Sequence, residues 1–293
     1  MSGSGQDEGM FAFNPNASVS SVRVGACPIT VTVADNVLLH PELLAESGLA
    51  HEFIEDDSNL YPGVRARLPA EFSGPFRAWL TRTLHRTGVL QASCHIHADA
   101  SFFSIVNKNR ANLLPLQRIP HYDSADPTVF AAVIYLFDRP NSGTSFYRHR
   151  MTGYEKINDD NADNYRAALN RNMKLLGPPA REYTNGSNDL FERTHSVDSA
   201  FNRIVIYSGN VLHAADIDGS LFNGNDNNQW RLTVTSLINS TFPPVALGSR
   251  LIHSHIRVTG GTTRNGLSRA AALLQRIASR NAAIPELGQH RTP

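Results

Sequence analysis

Residues 119–127 read IPHYDSADP, and within them His121 and Asp123 stand two positions apart. In an extended chain that spacing points both side chains to one face. An imidazole beside a carboxylate is then either a surface pair or part of a metal site. A third ligand is available in RIVIYSGNVLH (203–213), where His213 ends an apolar run much as His121 ends its own. Two histidines and one carboxylate, with coordination positions left open, form the facial pattern of non-haem Fe(II) oxygenases. The next apolar run begins WRLTV, so Arg231 and Thr233 share a face. A guanidinium that stays charged, beside a hydroxyl donor, suits a fixed carboxylate. The ordinary alternative is a satisfied core histidine at 213 and a surface arginine at 231.

Other groups compete for chemical roles. CHIHAD (94–99) sets His95, His97 and Asp99 at alternate positions, a pattern seen in zinc hydrolases, but lacks the further histidine such sites usually carry. One face of a half-exposed strand accounts for it better. Arg148, His149 and Arg150 form a small basic run: a solvated strand end, or a dock at Arg148 for a substrate carboxylate or phosphate. Gln117 should share the inward face with His121 and line a cavity. Tyr135 and Phe146 read as core or as cavity walls, and Asp126 as a turn residue before Pro127.

These residues need elements to hold them. Residues 1–18 are rich in Gly, Ser, Asn and Asp, too polar to offset the cost of ordering, and are expected to be disordered. Residues 23–39 read as strand material and 41–49 as a short helix opening on proline. Apolar groups from Phe72 to Leu84 recur at helical spacing, predicting an amphipathic helix over 71–86. Strands are expected at 94–108, 113–123, 130–137, 144–151, 201–217 and 230–239. Residues 155–200 interrupt them as a helix-containing insertion, placed where a lid would sit. A terminal helix is expected over 267–282. Helices, then strands with one helical insertion, then a helix, predict an α+β protein with a mainly antiparallel sheet sandwich.

Composition sets outer limits. The 293 residues are enough for a substantial core, and 19–293 is expected to form a single domain. Lys plus Arg number 27 and Asp plus Glu 26, so no global field steers the chain to nucleic acid or an acidic membrane. No run of about 18 apolar residues is present. Cys27 and Cys94 make no disulfide framework. With no basic region and apolar core at the N-terminus, the expectation is a cytoplasmic protein, monomer or homodimer, without nucleic-acid or membrane partners.

His-x-Asp, a distant His, then Arg-x-Thr one strand later resembles the 2-oxoglutarate/Fe(II)-dependent dioxygenase superfamily, of prolyl-4-hydroxylase-like type. The resemblance covers about 94–240 and is carried by IPHYD, VIYLFDRPNSGTSFYRH, RIVIYSGNVLHAADI and RLTVTSLIN. It implies a double-stranded β-helix core, a cupin-like jelly roll flanked by helices, with the metal between its sheets. It implies Fe(II) on His121, Asp123 and His213, and the distal carboxylate of 2-oxoglutarate on Arg231 and Thr233. The gap from His213 to Arg231 is longer than the family's usual one; the loop 218–229 accounts for the excess. The activity implied is O2-dependent oxidation of an unactivated C–H of a small molecule, such as an amino acid or a derivative, by hydroxylation, desaturation or cyclisation. Two alternatives are an Fe(II) oxygenase of the same fold that uses no 2-oxoglutarate and a non-catalytic jelly-roll binding module.

Overall fold

The computed structural model describes residues 9–55, 60–139, 141–217 and 231–241, all within one compact unit, Met1–Thr241. The expected terminal helix at 267–282 and the loop 218–229 lie outside the described residues. Strands β1 (Ser18–Val24) and β2 (Ile29–Asp35) form a hairpin, followed by helix α1 (Pro41–Ala50). The short β3 (Ile54–Glu55) pairs with β4 (Gly63–Arg67), and α2 (Ser73–Arg86) leads to β5 (Ile96–Val106). Then come β6 (Val129–Tyr135), β7 (Thr144–His149), α3 (Ala162–Leu176), β8 (Phe191–Val197), β9 (Arg203–Ser208), β10 (His213–Ala215) and β11 (Leu232–Ser240).

Two antiparallel sheets result. The larger runs β1-β2-β9-β6-β11-β5-β4-β3 and the smaller β10-β7-β8. From β5 to β11 the chain crosses repeatedly between them. β6, β9 and β11 belong to the large sheet, while β7, β8 and β10 belong to the small one. The architecture is thus α+β with antiparallel sheets, as the element order predicts.

The sequence of β6, VFAAVIY, is apolar almost throughout because both its faces are covered. Ala132 and Ile134 look outward, to a core with Phe72, Phe76, Leu80 and Leu84. Ala131 and Tyr135 look inward, to a second core with Phe146, Val205 and Tyr207. Each large apolar side chain wholly withdrawn from water on α2 contributes about 1.5–3 kcal/mol, which is what holds that helix on the sheet. The N-terminal expectation is corrected for residues 9–18. Phe11 is buried, and Phe13 packs against Phe72, Phe76 and Trp79, so a few aromatic groups suffice to order an otherwise polar stretch.

A third apolar layer lies behind the small sheet, where Tyr165, Leu169 and Met173 of α3 pack with Tyr147, Phe191 and Ala214. The expected insertion 155–200 is therefore corrected in two respects. Its last part is β8, a strand of the small sheet. Its helix backs that sheet from outside and does not cap the space between the sheets.

Candidate metal centre

The segment before His121 departs from the strand expected over 113–123. It forms short 3-10 turns at Arg110–Asn112 and Pro115–Arg118, and bridges to β10 only through His121 and His213. Pro115 and Pro120 explain this, since each removes a backbone donor that a continuous ladder would need. The pairing that remains is reciprocal. His121 N–H donates to the His213 carbonyl at 2.9 Å, and His213 N–H to the His121 carbonyl at 2.8 Å. Asp123 N–H then donates to the Gly209 carbonyl at 2.7 Å, so both ends of the His-x-Asp segment are tied to the β9–β10 connection.

This backbone arrangement converges three side chains. Asp123 places one carboxylate oxygen 3.8 Å from His121 Nε2 and the other 3.5 Å from His213 Nε2. The two imidazole rings lie 4.4 Å apart between centroids. Among the described residues, His121, Asp123 and His213 are the group whose ligand atoms, all within 4.8 Å of one another, could hold a metal ion. Bonds of about 2.1 Å to one ion put neighbouring donors about 3–3.5 Å apart, so a slight contraction suffices.

The tautomer is prepared as well. His213 Nδ1 lies 2.9 Å from the Val211 carbonyl, which can only accept. The proton of a neutral ring therefore sits on Nδ1 and leaves the Nε2 lone pair facing Asp123. Burial, then the neighbouring His213, push the His121 pKa down to about 4, with Asp123 opposing and Arg65 adding to the shift. Its outer edge still opens to solvent, the side chain being 54% exposed. A ring that stays neutral well below pH 7 does not have to shed a proton to bind a cation.

The inner face of the large sheet also carries a basic, hydroxyl-rich patch. Arg231 is buried among rings, its guanidinium carbon 5.8 Å from the centroid of Tyr135 and 5.6 Å from that of Phe137. Its Nε donates to the Ser142 carbonyl at 3.1 Å and Nη2 to the Gly143 carbonyl at 2.9 Å. Thr233 donates to the Ser104 carbonyl at 3.2 Å. Burial raises the Tyr61 phenol, while Arg231, Arg65 and the hydroxyls of Ser104 and Thr233 pull it the other way. Tyr207 completes the inner wall, its ring 4.7 Å from His213, and burial beside the Asp123 carboxylate pushes its phenol well up.

The remaining sequence-predicted residues fall elsewhere. Tyr135 is wholly buried and shares a hydrogen bond of 2.8 Å with the Thr144 hydroxyl. Phe146 faces His213 across the β7–β10 ladder and stacks edge-on with Tyr207. Arg148 is engaged by Glu155 at 2.7 Å and by Glu192 at 3.2 Å. Gln117 lies on a 3-10 turn, accepting from Leu114 N–H at 2.8 Å and donating to the Leu60 carbonyl at 3.3 Å. Its expected inward strand position is therefore corrected. Asp99 accepts from Ser73, Ser101 and Arg77. It is consumed in tying α2 to β5, and does not join His95 and His97 as a ligand. Tyr61, Arg65, Ser104 and Tyr207 are additions the sequence analysis did not make. The one local signal was GVRAR (63–67), two arginines at strand spacing.

A family model described as "Family of unknown function (DUF6445)" matches residues 15–238. No curated protein matches the chain. Among solved structures the chain is similar to AviO1 from Streptomyces viridochromogenes Tue57, at 11% identity and a TM-score of 0.38, over 82% of this chain and 95% of that one. It is also similar to EvdMO1, at 12% identity and a TM-score of 0.39, over 76% of this chain and 55% of that one.

Proposed function

We propose that this chain, which belongs to the DUF6445 family, is a non-haem Fe(II)- and 2-oxoglutarate-dependent oxygenase acting on an unactivated C–H of a small molecule. The observation that carries the proposal is the convergence of His121, Asp123 and His213 on one point, with the His213 tautomer set by Val211. The donor set fits Fe(II): two imidazole nitrogens and one carboxylate oxygen on a single side, leaving the rest of the coordination sphere to other ligands. The repeated crossing of the chain between two facing sheets supports a double-stranded β-helix as the form of the core.

Bound Fe(II) would supply the chemistry of O2 activation, with 2-oxoglutarate oxidised to succinate and CO2 while the substrate gains one oxygen atom. The chain's own share is positioning. Asp123 neutralises part of the cation's charge, and the Val211 carbonyl keeps His213 aimed. Arg231 with Thr233 offers charge and a hydroxyl to the distal carboxylate of 2-oxoglutarate. The inner wall of Tyr135, Phe146 and Tyr207 excludes water from the reacting centre.

The test is an anaerobic titration of the metal-free protein with Fe(II), then 2-oxoglutarate, followed in the visible range. A charge-transfer band that needs both additions and vanishes in His213→Ala is the expected result. Iron binding without the band would move the chain to Fe(II) oxygenases that use no 2-oxoglutarate. Failure to hold any divalent metal would leave a non-catalytic binding module.

A further inference from the structure

On the small sheet one buried carboxyl group holds all three strands together. Asp216 directly follows β10, three residues beyond His213, and is 3% exposed. Its Oδ2 accepts from the Ser145 hydroxyl at 2.8 Å and from the Ser196 hydroxyl at 3.1 Å. Ser145 lies opposite Ser196 in the β7–β8 ladder and opposite Ala214 in the β7–β10 ladder. Thr144, bonded to Tyr135, and Phe146, packed in the inner core, both look towards the large sheet. Ser145 between them therefore looks the other way, and the Asp216 side chain sits with it on the outer face. The other oxygen, Oδ1, is buried without a partner, so the side chain acts through Oδ2 alone.

The main chain of Asp216 reaches the inner side. Its N–H donates to the Gly143 carbonyl at 3.1 Å, and that same carbonyl accepts from Arg231 Nη2 at 2.9 Å. The neighbouring Ser142 carbonyl accepts from Arg231 Nε at 3.1 Å. Two guanidinium nitrogens are thus committed to the main chain, and Nη1 is the one left to meet an anion. The aim of Nη1 depends on where these two carbonyls stand. Asp216 fixes them twice, through its own N–H at Gly143 and through Ser145, two residues further along the same strand. A binding group is only as well aimed as the hydrogen bonds behind it.

We propose that Asp216 is the positioning residue of the Arg231 anchor. Through Ser145, Ser196 and the Gly143 peptide it sets the aim of Arg231 Nη1, the nitrogen left for the distal carboxylate of 2-oxoglutarate. The inference rests on the oxygenase reading and adds to it a residue on the far side of the small sheet, in contact with neither metal nor co-substrate.

The test is a double-mutant cycle on the full chain, with 2-oxoglutarate titrated calorimetrically into each Fe(II)-loaded protein under anaerobic conditions. Asp216→Ala should weaken 2-oxoglutarate binding about tenfold, the scale of one misplaced charge-assisted contact, while Fe(II) affinity stays within about twofold of the parent's. Asp216→Asn keeps an acceptor oxygen for both serines and should bring 2-oxoglutarate binding back to within about twofold. In the Arg231→Gln background there is no guanidinium to aim, so Asp216→Ala should cause no further loss. A clamp that only supports the fold predicts the opposite: equal losses in both backgrounds, with iron binding falling alongside. Either of those results overturns the positioning role, as does undiminished binding in Asp216→Ala or an Asn variant as weak as the Ala one. If Asp216→Ala does not fold, Ser196→Ala removes one of the two hydroxyls and takes its place in the cycle, with an expected loss of about threefold. A parent chain that binds Fe(II) but no 2-oxoglutarate would end the 2-oxoglutarate reading and this inference with it. Ordinary binding of both by the parent, with an additive cycle, would remove the inference alone.

Discussion

At the scale of single residues, the centre depends on donors of different burden. Asp123 is the one anionic member of the proposed ligand set, and it lies between two imidazoles. Asp123→Ala leaves two neutral nitrogens to hold a dication, so metal affinity should drop by more than about a hundredfold, a loss measurable by competition with a chromophoric chelator. Retained affinity would remove Asp123 from the ligand set. Arg231 acts differently. Its guanidinium is buried and donates to two main-chain carbonyls, so Arg231→Ala would remove the proposed carboxylate anchor and release the Ser142–Gly143 turn. We expect the affinity for 2-oxoglutarate to fall about 10–100-fold with Fe(II) affinity nearly kept, and the unfolding midpoint to fall as well. Equal losses of iron and 2-oxoglutarate binding would argue that Arg231 supports the fold only.

At the scale of elements, close backbone approaches fix where the ligands stand. Gly143, at the start of β7, lies so near β8 that a Cβ there would sit 1.8 Å from the Val197 carbonyl oxygen. The clash is with backbone, which cannot swing aside, and β7 is the strand that pairs with His213. Gly143→Ala should therefore cost about 1–3 kcal/mol in stability and weaken metal binding together, read from denaturant and metal titrations of one preparation. Loss of stability with unaltered metal affinity would uncouple this contact from the centre. A second approach joins the β1–β2 turn to the small sheet. Gly25 has φ +76°, and a Cβ on it would lie 2.3 Å from Glu155. Ala26 and Cys27 donate their N–H groups to that same carboxylate at 3.1 and 2.9 Å, and Arg148 completes it. Opposed by burial, these donors and the Arg148 charge hold the Glu155 pKa below the usual carboxylate value.

At the scale of the whole molecule, the surroundings of several histidines disfavour their charged form. His149 is wholly buried, bonded to Thr152 on one side and facing Asn172 on the other, and burial lowers its pKa. Burial lowers His195 likewise, and His121 falls to about 4. The unfolded chain takes up protons at these rings near pH 6.5, whereas the folded one refuses them until lower pH. Stability of the metal-free protein should thus fall as pH drops from about 6.5 towards 4, with Asp216, raised by burial, acting in the opposite sense. The urea midpoint at pH 5.5 should lie below that at pH 7.5, and an unchanged midpoint would contradict the lowered pKa values of these rings. Among the described residues no helix is long and apolar enough to cross a membrane.

The sequence by itself brought out the candidate ligands His121, Asp123 and His213, both amphipathic helices and the antiparallel character of the sheets. Those properties are local: periodicity, proline positions and alternation are set by neighbours along the chain. It also brought out His149 and Arg148 as readily as His121, because composition cannot tell the two sides of a sheet apart. Only the tertiary structure decided that His149 is sequestered behind the small sheet by α3 and that Arg148 belongs to Glu155. It alone joined His213 to a His-x-Asp segment far earlier in the chain, through two backbone hydrogen bonds. It alone laid Arg65 over the Tyr61 ring and set it opposite Ser104 in the large sheet. The physical reason is common to all of these. A site built across two facing sheets is made of contacts between residues distant in sequence, and such contacts follow from how the layers close, which no short stretch of the chain encodes.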